Sequence, residues 1–451
     1  MGAIIRLYLY SFLQYRSFTM LHIDNEYIRE HLLDGNFGLE KESLRVLEDG
    51  HFSHTPHPFP NDPNIVRDFS ENQIEINTGV HDSPEGAIEE LLFHTRRVRD
   101  TLRALPEKEY LWPFSNPPYI KNELDIPIAQ FYGEEASKTV YREYLSKKYG
   151  RYKMTFSGIH FNFSFKDELL QKDYELSCLD RTENPGENRS FREYKNALYL
   201  SMAQRLSVYG WIMIPLTAAS PVLDSSFMEK GVYDGDIFTG MASVRCSEMG
   251  YWNEFTPIFN YESIEKYADC IQTYVDDGAL MAPSELYFPI RLKPKGVNQL
   301  SSLKENGANH IELRMFDLNP FEASGLDIRD IKFAHLMLVW LAATPDINIK
   351  LNDQVHAVQN FKNAARYDLK TVYMYDENGE SYSFVSAAKI LIERMRFFFR
   401  PLARKEVTDI LDFEYEKFTN AENRYAWRMR KEFGNGFVKK GLKYMLEGQK
   451  L

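Results

Sequence analysis

Ser157-Gly-Ile-His-Phe-Asn-Phe-Ser-Phe165 is the stretch of sequence that decides the fold class. Apolar and polar side chains alternate along it with a period of two, which is the period of a β-strand. From Ile159 onward, one side carries the apolar residues Ile159, Phe161, Phe163 and Phe165. The other side carries His160, Asn162 and Ser164. The pattern predicts a strand with one face on a hydrophobic core and polar groups on the other.

Four further segments alternate in the same way. They are Gly38 to Val46, Asn72 to Thr78, Glu285 to Lys295 and His310 to Asp317. Their polar sides repeat glutamate, histidine, asparagine and arginine, with little of the threonine, serine and lysine that usually decorate a solvated sheet. For any single strand, a polar face that meets water explains the pattern equally well. Across all five strands, the repeated theme favours a sheet whose polar face lines a pocket.

The order of the elements indicates the fold class. No strand–helix–strand alternation with glycine-rich turns is visible, so we expect an α+β fold with a mostly antiparallel sheet and helices on its apolar face. Helices are predicted at Pro84 to Leu102, Phe191 to Val208 and Ile328 to Ala343, with Asp327 as the N-cap of the last.

Carboxylates dominate the polar sides of the predicted strands. They are Glu40, Glu42, Asp68, Glu75 and Glu312. If they converge, two unit charges about 4 Å apart repel by roughly 4 kcal/mol at an effective dielectric constant near 20. Such a cluster needs protonation, basic partners or metal ions. Oxygen ligands with one histidine, here His160, suit Mg²⁺ or Mn²⁺ better than zinc.

Arginines accompany these carboxylates. Divalent ions beside Arg245, Arg291 and Arg314 would describe a phosphoryl-transfer pocket, in which metals and arginines stabilise phosphate charge. The chain contains no G-x-x-x-x-G-K-[ST], no G-x-G-x-x-G and no kinase motif set. If the protein uses ATP, it therefore does so with an uncommon fold.

Composition narrows the class of protein further. The formal net charge of -11 argues against a nucleic-acid partner. Three sparse cysteines without C-x-x-C spacing indicate reduced thiols in a cytoplasmic protein. The interrupted apolar stretch within Met1 to Thr19 is too short to span a membrane and lacks a signal-peptide cleavage site. We interpret residues 1–19 as a dispensable extension ahead of Met20, and we expect no membrane partner; the oligomeric state is not predicted.

Short motifs spread from residue 38 to residue 321 carry a resemblance to a known family. The motifs are Gly38-Leu-Glu-Lys-Glu-Ser-Leu-Arg45, Asp68-Phe-Ser-Glu-Asn-Gln-Ile-Glu75, Leu111-Trp-Pro113, Tyr141-Arg-Glu143, Ser157-Gly-Ile-His-Phe-Asn162, Glu285-Leu-Tyr287 with Pro289-Ile-Arg291, and Ile311-Glu-Leu-Arg314 with Asn319-Pro-Phe321. In this order they resemble the glutamate–cysteine ligases, both the bacterial monofunctional enzymes and the N-terminal half of the bifunctional glutathione-making enzymes. The resemblance implies a catalytic sheet like that of glutamine synthetase, ATP as co-substrate and more than one Mg²⁺, which Mn²⁺ could replace.

The resemblance also implies the role of each site residue. The metal-binding positions match Glu40, Glu42, Asp68, Glu75, His160 and Glu312. Arg314 matches the arginine near the transferred γ-phosphoryl group, and we expect Arg314 and Glu312 to be catalytic. The substrate-binding positions match Phe69, Asn162, Arg245, Tyr251 and Tyr287. The two tyrosines would line the cysteine pocket, although they fit equally well as core aromatics.

Two departures from the family pattern bear on the substrate pocket. Met154 stands where relatives often carry glutamine, six residues before the histidine. The stretch Gln130-Phe-Tyr-Gly133 is one residue longer, which leaves open whether Phe131 or Tyr132 takes the pocket position.

The resemblance implies ligation of the γ-carboxylate of L-glutamate to L-cysteine through a γ-glutamyl phosphate, the first step of glutathione biosynthesis. One alternative is a ligase that joins glutamate to a different amine. Another is a degenerate relative that only binds a metabolite. We expect one catalytic domain over residues 20–451, helical from about residue 322, whose product is the dipeptide and not glutathione.

Overall fold

The alternating segments assemble into one large sheet and leave short ribbons elsewhere. The computed structural model describes residues 20–180, 189–228, 235–345, 347, 349–376 and 379–448, so the expected extension at residues 1–19 lies outside the described residues. In chain order the strands are β1 (Gly35–Val46), β2 (Ile65–Arg67), β3 (Gln73–Asn77), β4 (Tyr110–Leu111), β5 (Gly158–Phe165), β6 (Val222–Asp224), β7 (Asp236–Phe238), β8 (Ile290–Lys293), β9 (His310–Asp317), β10 (Tyr373–Tyr375) and β11 (Ser381–Ser383). Within the described residues, the large sheet has seven strands in the order β2-β3-β1-β5-β9-β8, with β4 paired to the far end of β1.

Every pairing in the large sheet is antiparallel, as predicted. Partners across an antiparallel pair lie on the same face of the sheet, so the register decides which polar side chains meet. Glu40 pairs with His160, and Glu42 pairs with Glu75. Glu312 has Asn162 on one side and Arg291 on the other. Five separate strands, β1, β3, β5, β8 and β9, thereby place their polar residues on one face.

A bulge lies between β5 and β9 next to the histidine. Ile159 pairs with Phe316, but Phe161 pairs with Leu313, so Arg314 and Met315 both stand opposite His160. Bulges re-aim side chains and are common beside functional sites. The alternation in the sequence does not reveal this extra residue.

The described residues form fifteen α-helices, several of which cover the apolar face of the sheet. They are α1 (Glu26–Glu30), α2 (Pro84–Ala104), α3 (Ala136–Tyr149), α4 (Asp167–Asp180), α5 (Phe191–Tyr209), α6 (Met213–Thr217), α7 (Ser225–Met228), α8 (Ile264–Asp276), α9 (Leu300–Asn306), α10 (Ile328–Ala342), α11 (Leu351–Ala364), α12 (Phe384–Phe399), α13 (Lys405–Thr419), α14 (Tyr425–Phe433) and α15 (Phe437–Gly448). Helices α2, α5 and α10 begin and end within two residues of the predicted bounds, and the Asp327 side chain accepts a hydrogen bond from Arg329 N as the N-cap of α10. The apolar side of β5 is buried in the core that these helices share with the sheet.

Strand β1 is long enough that its polar face borders two different environments, a polar site and an apolar cluster. On the polar face, Glu40 and Glu42 are followed by Leu44 and Val46, which are fully buried. These two residues belong to a second apolar cluster, which also holds Trp112, Phe114 and residues of α14 and α15. The polar face is therefore open to a site only at its centre, because C-terminal helices cover the end of β1.

One predicted strand is largely wrong. The segment Glu285 to Lys295 contributes only Ile290–Lys293 as β8, and Pro283–Glu285 forms a 3-10 turn. The Glu285 side chain is fully buried, and Pro289 cannot donate a ladder hydrogen bond. Leu286 and Phe288 are buried as predicted, but in a loop.

Among the helices of the described ranges, none is both long and apolar enough to cross a bilayer.

Candidate active site

The polar face of the sheet borders a cavity of about 260 Å³. The predicted site residues that line it are Glu40, Glu42, Asp68, Phe69, Glu75, His160, Arg245, Tyr251, Tyr287, Glu312 and Arg314. They come from β1, β3, β5, β9 and the segments before β3 and β8 and after β7. The convergence that the carboxylate argument required is therefore present. The roles of the individual residues remain predictions.

His160 lies at the centre of the carboxylates. Its Nδ1 is 2.9 Å from Glu40 Oε2 and 3.7 Å from Glu312 Oε1, and its Nε2 is 3.6 Å from Glu42 Oε1. One ligand atom each from Glu40, His160 and Glu312 lie within 4.8 Å of one another, which is close enough to hold one metal ion. Glu312 Oε2 is buried and has no hydrogen-bond donor, so it is available to a cation.

Basic side chains neutralise one end of the cluster. Arg314 donates to Glu312 Oε1 at 3.0 Å, and Lys293 Nζ lies 3.4 Å from the same oxygen. Burial acts to raise the pKa of the Glu312 carboxyl, but the charges of Arg314, Lys293 and His160 hold that pKa below its ordinary value. Glu312 is therefore an anion at neutral pH.

At the other end of the cluster, burial and mutual repulsion raise the pKa values of the carboxyl groups. Burial raises the pKa of Glu75 well above its ordinary value, and the charges of Asp68, Glu40 and Glu42 raise it further. Burial also raises the pKa of Glu42, against the charge of His160. Carboxylates held this closely need a proton or a cation. Oxygen donors with one histidine fit Mg²⁺ or Mn²⁺.

Asn162 lies beside the metal candidates and does not line the cavity itself. Its Nδ2 donates to Glu40 Oε1 at 3.0 Å, while its Oδ1 is buried without a partner. This contact orients the Glu40 carboxylate. The substrate contact expected of Asn162 stays a prediction.

Arg245 is held tightly against the sheet. Its guanidinium donates to Arg314 O at 2.9 Å and to Phe316 O at 3.4 Å. It lies flat on Gly158, where a Cβ atom would stand 2.1 Å from Arg245 Cζ. The ring centroid of Tyr251 lies 5.9 Å from Arg245 Cζ. The chain thus places a buried cation at the edge of the carboxylate cluster.

Tyr251 and Tyr287 form one wall of the cavity. Their ring centroids are 5.5 Å apart, and both residues line the cavity instead of lying only in the core. Burial raises the pKa of both hydroxyl groups well above the ordinary value, so both stay protonated. The Tyr251 hydroxyl donates to Phe156 O, and the Tyr287 hydroxyl lies 3.9 Å from Met154 Sδ.

Sequence reasoning missed two basic groups that line the cavity. Lys293 continues the polar side of β8 beyond Arg291, so the alternation could have identified it. Arg142 belongs to one of the family motifs and donates through Nε to Asp68 O. Neither group was assigned a role.

The structure also answers the question about the longer stretch before α3. The ring of Phe131 lies between Arg67 and Arg142, with centroid distances of 4.3 and 4.6 Å. Tyr132 is 81% exposed. The cavity is lined by neither residue.

Fold and site together define a class of protein: an α+β protein whose antiparallel sheet carries a carboxylate–histidine–arginine site on one face. The model of the glutamate-cysteine ligase family matches residues 20–279 and 255–364. The chain belongs to the glutamate–cysteine ligase family. The recognition made from the motifs is confirmed.

Individual relatives agree with this assignment. A glutathione biosynthesis bifunctional protein of Listeria innocua is 35% identical over 391 residues, which cover 84% of this chain and 49% of the relative. Its counterpart from Listeria monocytogenes strain F2365 is 33% identical over 419 residues, with 90% and 53% coverage. The chain therefore spans about half the length of these curated relatives.

Solved structures confirm the predicted fold class. A bifunctional glutathione synthetase from Pasteurella multocida superposes with a TM-score of 0.79 at 28% identity, over 96% of this chain and 54% of the other. A glutamate–cysteine ligase from Francisella tularensis in complex with AMP gives a TM-score of 0.79 at 22% identity, over 92% and 88%.

Proposed function

We propose that the chain catalyses the ATP-dependent ligation of L-glutamate, through its γ-carboxylate, to L-cysteine. The observation that carries the proposal is the convergence of Glu40, His160 and Glu312 beside Arg314 in one cavity of a member of this family. A carboxylate is a poor acyl donor, so ATP first phosphorylates it. The cysteine amine then attacks the carbonyl carbon of the acyl phosphate, and phosphate leaves.

The metal that fits the donors is Mg²⁺, with Mn²⁺ as a substitute. Glu40, His160 and Glu312 would hold one ion, and Glu42, Asp68 and Glu75 supply further oxygen ligands on the same face. When bound, such an ion offsets the carboxylate charge and polarises phosphate oxygens. The raised pKa of Glu75, caused by burial and by neighbouring carboxylates, supports the need for a cation.

The chain's own residues position and shield the reacting groups. The planar fork of Arg314 can stabilise charge that spreads over a transferring phosphoryl group. Arg245 is a fixed positive charge for an anionic part of a substrate. The protonated hydroxyl groups of Tyr251 and Tyr287 form the wall where we place the amine substrate. A pocket that closes over its substrates would also keep water away from an acyl phosphate.

A second candidate is a ligase that joins glutamate to a different amine. Met154 favours it, because this buried thioether lies 3.9 Å from the Tyr287 hydroxyl where relatives often carry an amide. The Met154 sulfur accepts from the Tyr287 hydroxyl but, as a thioether, cannot supply the hydrogen-bond donor that an amide would offer a substrate.

The deciding experiment is a measurement of ADP release by the purified chain with Mg²⁺, glutamate and cysteine, and with each amino acid omitted in turn. We expect ADP and γ-glutamylcysteine in equal amounts only when both amino acids are present. A panel of other amines at equal concentration tests the second candidate, which requires that one of them exceed cysteine in kcat/KM. Tight nucleotide binding without turnover on any amine would reveal a metabolite-binding protein.

A further inference from the structure

A second buried carboxylate lies behind the tyrosine wall, outside the carboxylate cluster. Glu285 is fully buried in the turn before β8. Its Oε1 accepts hydrogen bonds from Lys148 Nζ at 2.6 Å and from the Tyr149 hydroxyl at 2.7 Å. Its Oε2 accepts one from Met281 N at 2.6 Å. One carboxylate thus ties the C-terminal end of α3 to the segment that leads into β8.

Asn253 extends this network to Tyr287. Its Nδ2 donates to Glu285 O at 2.9 Å and to the Tyr149 hydroxyl at 3.1 Å. Its Oδ1 accepts from Tyr287 N at 2.8 Å. The Tyr149 ring packs edge-on against the Tyr287 ring, with centroids 5.4 Å apart. The Glu285 carboxylate therefore reaches the Tyr287 ring through Tyr149, which Asn253 also contacts, while the main-chain carbonyl of Glu285 reaches Tyr287 N through Asn253.

The network is unusual because it buries a charged carboxylate that does not itself reach the cavity. A buried carboxylate is expensive unless every lone pair finds a donor, and here each oxygen has at least one. Tyr287 lines the cavity, whereas Glu285, Asn253 and Tyr149 do not. Any effect of Glu285 on a substrate must therefore pass through the tyrosine wall.

We propose that Glu285 is a positioning residue that fixes Tyr287, through Tyr149 and Asn253, for binding of the amine substrate. The inference rests on the proposed function, in which Tyr287 forms part of the amine pocket. Glu312 and Arg314 lie on β9, and the Glu285 network does not contact them. Loss of the network should therefore weaken binding of the amine much more than it slows the phosphorylation of glutamate.

The test compares Glu285→Gln with a matched control in the full chain. Glu414→Gln is the control, because Glu414 is also fully buried and paired with a lysine, but lies on α13. For Glu285→Gln we expect the KM for cysteine to rise about tenfold or more, which corresponds to one or two lost charge-assisted hydrogen bonds. The KM values for ATP and glutamate, and kcat at saturating cysteine, should stay within about threefold. Glu414→Gln should leave all three KM values unchanged.

A double-mutant cycle with Tyr287→Ala separates positioning from general stability. If Glu285 acts through Tyr287, adding Glu285→Gln to Tyr287→Ala should raise the cysteine KM no further. Additive effects would overturn the inference, as would an equal rise in all three KM values. If Glu285→Gln does not fold, Tyr149→Phe carries the same test, since it removes only the hydroxyl link. A wild-type chain that makes no γ-glutamylcysteine would overturn the proposed function itself. An active wild type with an unchanged cysteine KM in the variants would overturn only this inference.

Discussion

Gly158 shows how one missing side chain sets the position of a charged one. Its backbone N donates to Glu42 Oε2 at 2.8 Å, while its open face receives the Arg245 guanidinium. Gly158 thus contacts Glu42, a proposed metal-binding residue, and Arg245, a proposed substrate-binding residue. Neither contact is visible in the sequence, because Arg245 comes from a segment nearly ninety positions away.

Gly158→Ala adds only one methyl group, but it should disturb the site strongly. The new Cβ would lie 2.1 to 2.3 Å from three guanidinium atoms of Arg245, so Arg245 must leave its seat. We expect kcat/KM to fall at least about tenfold, with overpacking costing about 1–3 kcal/mol of stability. Gly38→Ala is the control on the neighbouring strand, since its Cβ would meet no atom closer than 3.6 Å. Equal activity in both variants would contradict the seating of Arg245.

Glu312 is the residue on which the metal assignment can be tested most directly. Glu312→Gln keeps the shape of the side chain and removes the charge that Arg314 and Lys293 share. We expect turnover to be abolished while the thermal unfolding transition stays cooperative. Steady-state ADP release together with calorimetry measures both, and near-normal turnover would refute the metal role of this carboxylate.

Arg314 should act on the chemical step. Arg314→Lys keeps the charge but loses the planar fork, so kcat should fall by about 10²-fold or more. The KM values for glutamate and cysteine should change little. Initial-rate kinetics with each substrate varied in turn would show the split. An unchanged kcat with a large rise in the cysteine KM would move Arg314 to substrate binding.

At the scale of single elements, the period-two pattern predicted β1, β3, β5 and β9. It did so because the alternation of side chains and the burial of one face are both determined by a few neighbouring residues. The same reasoning failed at Glu285 to Pro289. There the Glu285 carboxylate accepts hydrogen bonds from Lys148 and Tyr149 of α3, which lie far away in the sequence. Local pattern cannot distinguish a ladder hydrogen bond from a tertiary one. It predicted the shared polar face of β1, β3, β5 and β9, but neither the bulge beside His160 nor the Glu285 network.

The contact between α10 and α13 depends on a buried charge cluster. Lys417 Nζ lies 2.6 Å from Asp330 Oδ1 and 2.8 Å from Glu414 Oε2, and it also donates to Leu216 O at 3.0 Å. Burial raises the pKa of the Glu414 carboxyl well above its ordinary value, against the charge of Lys417 and with that of Asp330. One lysine therefore serves two carboxylates.

This cluster predicts different effects for two substitutions. Lys417→Met leaves two buried carboxylates without a cation and should cost about 3–5 kcal/mol. A raised folded pKa stabilises the protein fully below the unfolded value, and this stabilisation is lost as the pH rises toward the folded value. Glu414→Gln removes that loss, so its free energy of unfolding should depend less on pH from the ordinary glutamate pKa upward. Denaturant unfolding between pH 5 and 8 measures both variants; equal destabilisation at all pH values would contradict the charge argument.

At the scale of the whole molecule, the apolar core and the second apolar cluster hold the sheet from opposite faces and leave its centre open. The second cluster is built partly from α14 and α15, so the C-terminal helices complete the surroundings of β1. We propose on this basis that residues 20–451 act as one catalytic domain. The sequence predicted helices there but not their contact with Trp112 and Phe114, since nothing local specifies it.

Divalent cations should stabilise the entire fold through the cavity. The chain carries a formal net charge of -11, and its buried carboxylates repel one another when no cation is bound. An ion that binds only the folded state adds about 2.7 kcal/mol at a free concentration of 100 times its Kd. We expect Mg²⁺ or Mn²⁺ to raise the Tm of EDTA-treated protein, and Glu312→Gln to lose most of that shift. An identical shift in the variant would place the ion elsewhere.

The length of β1 has a consequence for changes in chain length. The side chains of its twelve residues point alternately to the two faces of the sheet. One face packs on the core, and the other borders first the cavity and then the second apolar cluster. Deletion of one residue before Glu40 would turn every following side chain to the opposite side, sending two carboxylates into the core and Lys41 and Ser43 toward the cavity. Such a shift would disrupt the protein more than the replacement of any one of the proposed metal-binding residues. Natural variants of this chain should therefore carry their insertions and deletions outside β1, or in steps of two.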